Sequence, residues 1–381
     1  MGFAECFRSG DWRGSSRVRR LAGLLRPVDG AGLEEMAREA RSLTQRHFGR
    51  TMRLYAPLYL SNECINACKY CGFSRDNAIL RVTLAVDDVE KEARYLAEKG
   101  FRSILLVAGE HPRFVSEGYM EACVRRVAAL APSVSLEVGP LEEAAYRPLV
   151  QAGADGLVVY QETYDRECYA DLHTAGPKKD FDWRLGCPER AAAAGFKRVG
   201  IGALLGLADW REEALRLGAH ADYLLRACWR SFLTVSFPRL RPAAGEFAPR
   251  FPLGDREFVQ LVCAFRIAFP RIGLVLSTRE PERLRDHLAC LGVTHMSAGS
   301  HTEPGGYTGA GQELAHLTVR GRPVPFIASE GEHQSATQQF AIADERPASE
   351  VAHRLLEMGF DPVWKDWDQA LAGTVGGDGS A

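Results

Sequence analysis

Apolar positions along the chain recur with two different periods. Over the first fifty residues Leu21, Leu24, Leu25, Leu33, Met36, Ala37 and Leu43 fall at helical spacing, interrupted near Pro27 and Gly30. After Arg53 short apolar, β-branched runs alternate with longer amphipathic ones. Eight short runs read as strands: Leu54–Ser61, Ser103–Glu110, Ser133–Pro140, Gly156–Thr163, Arg198–Gly206, Phe232–Leu240, Ile272–Glu280 and Thr294–Ser300. Helical segments such as Val86–Lys99, Tyr119–Ala131, Pro188–Gly195 and Glu257–Phe269 separate most of them. Alternation of this kind implies parallel strands, because parallel neighbours need a crossover. Eight repeats are the number that closes a (β/α)8 barrel. The expected fold class is therefore α/β, a TIM-type barrel over residues 54–308. Residues 1–53 read as an N-terminal helical extension and 309–381 as a C-terminal cover segment.

Most predicted strands finish on polar groups: Ser61 and Asn62, Glu110, Glu137, Gln161 and Glu162, Ser236 and Arg239, Ser277 and Arg279, Ser297 and Ser300. In a parallel barrel every C-terminal strand end lies on one face, and that face carries the active site. Strands also end simply where polarity returns, but that explains a few such ends better than a nearly full set. Beyond Gly305-Gly306-Tyr307 the pattern loosens. Residues Gly309–Gln338 read as a loop or cover, Pro347–Gly359 as one more helix, and Gly373–Ala381 as a frayed end.

Composition narrows the classes. A hydrophobic fraction of 46% supports a large core, while a net charge of −2 gives no electrostatic case for nucleic acid as a partner. No apolar run is long enough to span a bilayer, and the N-terminus lacks the basic-then-apolar order of a secretory signal. These features predict a cytoplasmic protein with no membrane partner.

Ten cysteines are many for such a protein. Seven are scattered singly and read as small buried apolar residues. The other three form Cys64-Ile-Asn-Ala-Cys68-Lys-Tyr-Cys71, directly after the first predicted strand and so on the catalytic face of the barrel. Thiolates are soft ligands that suit iron–sulfur clusters and zinc. Three thiolates on a four-iron cluster leave one iron open to a small molecule. Structural zinc needs a fourth protein ligand, usually in two separated pairs. Here there is no obvious partner pair, and His173 or His111 would be the fourth ligand.

Cys-x3-Cys-x2-Cys with an aromatic before the last cysteine, here Tyr70, resembles the signature of the radical S-adenosylmethionine superfamily. The likeness extends further. Leu58–Asn62, Cys71–Ser74, Val107–His111, Val159–Tyr164, Lys178–Arg184, Gly200–Leu207, Ser236–Leu240, Ser277–Glu280 and Pro304–Tyr307 are similar, in the same order, to the 2-iminoacetate synthases. These are tyrosine lyases of thiamine thiazole biosynthesis. The likeness runs from about Leu54 to Asp368. A related tyrosine lyase, which makes carbon monoxide and cyanide for [FeFe]-hydrogenase assembly, carries a C-terminal cysteine motif for a second cluster. This chain has no cysteine after Cys290, and Val363–Asp368 stands where that motif would fall.

The resemblance implies a [4Fe–4S] cluster on Cys64, Cys68 and Cys71, with S-adenosyl-L-methionine chelated to the open iron. It places Tyr70 near the adenine, Gly109 and Glu110 at the cofactor's amino group, and Glu162 with Arg184 as a pair holding the cofactor. Arg279 and Ser297 would clamp the substrate carboxylate, with Arg239 a weaker candidate. The implied reaction is hydrogen abstraction from the amino nitrogen of L-tyrosine, then Cα–Cβ scission to 2-iminoacetate and p-cresol. The implied partners are a flavodoxin or ferredoxin electron donor and thiazole synthase. A radical lyase of another aromatic amino acid and a non-catalytic metal-binding barrel are the alternatives.

Overall fold

The computed structural model describes residues 2–116, 118–325 and 335–364. Eight parallel strands form a closed barrel: β1 Thr51–Ser61, β2 Ser103–Ala108, β3 Ser133–Glu137, β4 Ala154–Glu162, β5 Arg198–Ala203, β6 Phe232–Ser236, β7 Gly273–Leu276 and β8 His295–Ser297. Neighbours pair in chain order, and β8 returns to β1 with Tyr55 opposite Ser297. All eight predicted strands are present. Several stop short of their predicted C-terminal ends, because the polar residues there leave the ladder and turn into loops.

The period of two along β1 explains the closure. Met52, Leu54, Ala56, Leu58 and Leu60 join the hydrophobic layer between strands and helices. Tyr55, Pro57 and Tyr59 line the barrel interior. The same alternation sends Val134 and Leu136 outward and Glu137 inward on β3. Strands buried on both faces suit a barrel wrapped by helices. Each fully buried Leu contributes about 1.5–3 kcal/mol, so a charge at Leu58 or Leu106 would open this layer.

Four helices not named from the sequence complete the outer ring: Glu143–Ala152, Arg166–Leu172, Trp210–Ala227 and Glu282–Ala289. The N-terminal region forms helices Phe3–Ser9, Ser16–Leu24 and Gly30–Phe48. Its contacts run along the outside of the barrel. Gln260 donates to Leu24 O at 2.8 Å and to Arg26 O at 2.7 Å, and Thr44 donates to Leu291 O at 2.9 Å. Phe3 stacks on His220 with ring centroids 4.3 Å apart.

Within Gly309–Gln338, His316–Val319 forms antiparallel ladders with Ile79–Arg81 and Arg322–Pro323. Residues 335–346 then cross the C-terminal mouth of the barrel. The Gln339 N–H donates to Thr302 O at 2.9 Å, that of Ala341 to Pro242 O at 2.8 Å, and that of Ala343 to Thr278 O at 2.8 Å. Helix Ala348–Glu357 follows, and Asp361–Val363 adds a short strand beside β1. The predicted features at 365–368 and 373–381 lie outside the described residues. Among the described residues no helix is long and apolar enough to cross a membrane.

Candidate active site

The cysteine loop leaves the C-terminal end of β1 and is fixed at both ends by one buried side chain. Arg81 donates from its guanidinium to Asn62 O, to Phe73 O at 3.1 Å and to Ser74 O at 2.9 Å. Five rigid donors let one arginine tie the start of the loop to its finish. Asn77 secures the third cysteine, donating to Cys71 O and Gly72 O at 3.0 Å each. Asn66 bridges the loop to the next strand end, with its amide 3.7 Å from Cys64 Sγ and 2.8 Å from Glu110 Oε2.

Close backbone approach sets the spacing. A Cβ on Gly109 would lie 2.1 Å from Glu63 O and 3.3 Å from Cys64 Cβ. A Cβ on Gly72 would lie 2.4 Å from Gln339 O. Both positions need glycine for space rather than for an unusual φ.

All three thiols are free. Burial pushes those of Cys68 and Cys71 above their ordinary range, and the nearby Lys178 ammonium offsets this only in part. Such thiols ionise only against added positive charge, which bound metal supplies. Among the described residues no three Cys, His, Asp or Glu side chains converge on a point where one metal ion would sit. His173 has both ring nitrogens engaged, Nε2 with Tyr70 Oη at 2.8 Å and Nδ1 with Tyr169 O at 2.8 Å. Burial holds its pKa down to about 3. Three thiols on one loop, without a convergent fourth ligand, fit a multi-iron cluster, in which each thiolate takes a different iron.

A cavity opens beneath this loop, inside the C-terminal half of the barrel. It brings together Tyr70, Cys71, Glu162, Arg279 and Ser297 from the sequence-predicted set. Glu162 ends β4 with φ 72°, a left-handed conformation rare for a side chain of this size. Its carboxylate accepts from Lys178 Nζ at 2.7 Å and lies 3.6 Å from Arg184. Burial alone would raise its pKa, but Lys178 and Arg184 outweigh burial and hold it below the carboxylate range. Arg184 also donates to Tyr160 O at 2.6 Å, so it is tied to the backbone of the same strand.

Arg279 lies across Phe340, with its guanidinium carbon 3.3 Å from the ring centroid. This stacking orients the fork toward the cavity. The Ser297 hydroxyl accepts from the Thr278 N–H at 3.1 Å. Cys64 and Cys68 on the loop and Arg184 beside Glu162 do not line the cavity, nor do Gly109, Glu110 and Arg239. Gly109 and Glu110 follow the end of β2 and line an outer groove, linked to the cysteine loop through Asn66 and through the Ile65 N–H, which donates to Glu110 O at 2.8 Å. Arg239 turns away, its guanidinium spent on Glu280 and, at 2.8 Å, on Asp255. Lys178, Gln339, Tyr55, Tyr59 and Tyr160, which no motif or strand end by itself marks as site residues, also line the cavity. Lys178 sits in a motif already singled out. Gln339 comes from a tail whose course no periodic pattern reveals.

The radical SAM superfamily profile matches residues 58–218, and that of the Biotin and Thiamin Synthesis associated domain matches 236–361. The chain is 41% identical over 352 residues to 2-iminoacetate synthase of Escherichia coli, covering 92% of this chain and 87% of that protein. It belongs to the 2-iminoacetate synthase family. The Salmonella typhimurium 2-iminoacetate synthase is 40% identical over the same shares. Among solved structures, the FeFe-hydrogenase maturase HydG from Carboxydothermus hydrogenoformans is 34% identical with a TM-score of 0.77, covering 94% of this chain and 81% of that one. Membership in this family places the cysteine loop, the mouth of the barrel and the cavity beneath it in a radical SAM enzyme.

Proposed function

We propose that this protein cleaves the Cα–Cβ bond of L-tyrosine to give 2-iminoacetate and p-cresol, for thiazole formation in thiamine biosynthesis. The observation that carries the reading is that one cavity is lined both by Cys71 of the cysteine loop and by Arg279. Cys64, Cys68 and Cys71 would hold a [4Fe–4S] cluster, which with S-adenosylmethionine would supply the 5′-deoxyadenosyl radical. The chain's own residues do the rest. Glu162, Lys178 and Arg184 offer a fixed polar rim for the zwitterionic cofactor, and Tyr70 a ring face beside it. Arg279 receives the substrate carboxylate, a geometry a guanidinium fork matches bidentately. The strap around Gln339 and Phe340 covers the mouth and excludes water from a reactive species. Co-products are 5′-deoxyadenosine and methionine. A flavodoxin or ferredoxin would reduce the cluster, and thiazole synthase would take the unstable imine.

The test is anaerobic reconstitution with iron and sulfide, followed by S-adenosylmethionine, a reductant and L-tyrosine. Both p-cresol and 5′-deoxyadenosine should form, and both should vanish in Cys68→Ala. Deoxyadenosine without p-cresol would reject tyrosine as the productive substrate. Neither product from protein with a full cluster would reject the lyase.

A further inference from the structure

Glu137 ends β3 inside the cavity, and the reading above gives it no task. Two carboxylates line this chamber, Glu137 and Glu162. Glu162 is consumed by Lys178 and Arg184. The backbone of Glu137 pairs in the ladder beside Val107, but its carboxylate has no hydrogen bond or ion pair among the described residues and lines the cavity. Three tyrosines line the same chamber, Tyr55, Tyr59 and Tyr160. The Tyr59 hydroxyl donates to Gln339 Oε1 at 2.7 Å, and Ser297 and Ser236 stand beside the hydroxyls of Tyr55 and Tyr160. The cations acting on Glu137 are Arg279, Arg184 and Lys178, and the last two already serve Glu162.

Two guanidinium groups line the chamber: Arg241, which donates to Ala341 O at 3.4 Å, and Arg279, stacked on Phe340. Arg279 with the uncommitted Glu137 carboxylate is the charge complement of an α-amino acid zwitterion. We propose that Glu137 receives the α-ammonium of the substrate and accepts one proton from it. This rests on the tyrosine-lyase reading and deepens it. In the step one N–H bond breaks, an O–H bond forms on Glu137, and the nitrogen keeps the electron pair. No electron is transferred. The product is the neutral amine, from which a hydrogen atom is far easier to remove than from an ammonium. Burial, then the Glu162 charge, pushes the Glu137 carboxyl up to about 7 against Arg279, Arg184 and Lys178, so it accepts protons near neutral pH.

The test uses reconstituted protein with S-adenosylmethionine and no reductant, so that binding is read without turnover. Labelled L-tyrosine is displaced by 3-(4-hydroxyphenyl)propanoate, which lacks the amine, or by L-phenylalanine, which lacks the phenol. Wild type should favour tyrosine over the des-amino acid, and Glu137→Gln should shrink that preference about ten- to a hundredfold. The preference over phenylalanine should stay. With reductant, p-cresol formation in Glu137→Gln should rise only at more alkaline pH than in wild type. Glu137→Asp, which keeps the charge, should restore part of the preference and covers the case in which the Gln variant does not fold. An unchanged amine preference and pH profile would overturn the proposal, as would loss of the phenol preference instead. Wild type that makes no p-cresol would fail the parent reading, whereas an active wild type with an indifferent Glu137→Gln fails this inference alone.

Discussion

The Lys178 ammonium donates to Glu162 at 2.7 Å while standing 5.6 Å from the centre of the Tyr70 ring. One side chain from the turn Pro177–Lys179 thus joins the end of β4 to the cysteine loop. The backbone cost of Glu162's left-handed φ is held by this ion pair and by Arg184.

Lys178→Met should therefore destabilise the apoprotein. Breaking a buried pair from one side costs about 3–5 kcal/mol, and the lower end applies because Arg184 remains. The sign of the pH dependence follows from both groups. Glu162 titrates below its ordinary range, so its contribution is present above that range and is lost as pH falls through the lowered value. Lys178 titrates above its ordinary range, so its contribution is present below that range and is lost at still higher pH. Denaturant melts of wild type and variant should differ most across the neutral window and converge toward acid.

Gly109→Ala tests the cradle of the loop. The new methyl would meet Glu63 O and Cys64 Cβ, the backbone and first cysteine of the loop rather than a flexible side-chain end. Overpacking of this kind costs about 1–3 kcal/mol. The barrel should still fold by circular dichroism, while iron bound after reconstitution falls well below wild type.

Cys64→Ala, Cys68→Ala and Cys71→Ala should each lose the visible absorption of a reconstituted cluster, since two thiolates cannot hold it. Cys123→Ala and Cys263→Ala, buried in the hydrophobic layer, should keep it. Iron and sulfide content of the five variants separates the two classes.

Arg279→Lys should raise the KM for tyrosine about tenfold or more, because an ammonium replaces a bidentate fork worth roughly 1.5–3 kcal/mol. The stacking on Phe340 would also be weakened. Uncoupled 5′-deoxyadenosine should increase relative to p-cresol, and mass spectrometry of the two products reads the ratio.

Arg285 and Asp344 form an ion pair with both side chains fully buried, and Arg285 also donates to Ser297 O. Arg346 binds the same carboxylate at 2.7 Å. This lock joins the end of the strap to β8. Arg285→Met should cost about 3–5 kcal/mol. Burial works to raise the Asp344 pKa, but Arg346 and Arg285 hold it below the usual range. The lock should therefore persist above the carboxylate range and weaken as pH falls through that lowered value, which acid melts of wild type and variant can follow.

Local pattern was enough for the barrel and for the cysteine loop. The period of two in β1 and the strand–helix alternation are written in residues a few positions apart, and so is the spacing of Cys64, Cys68 and Cys71. Polar strand ends also marked Glu162, Arg279 and Ser297 as residues of the mouth, because a parallel barrel gathers all such ends on one face. What the pattern could not show was direction and partner. Arg239 and Arg279 both close strand segments, yet only the fold sends the first to Glu280 and the second over Phe340 into the cavity. Glu137 and Glu162 read alike in the sequence. Lys178 and Arg184 neutralise one and leave the other facing open space, a difference fixed by contacts across 16 and 22 residues of intervening chain position. The strap from 335 to 346 has no period, since its backbone bonds go singly to Thr302, Pro242 and Thr278. Such bonds depend on groups brought close only after the barrel has closed, so the tertiary structure alone decided what covers the site.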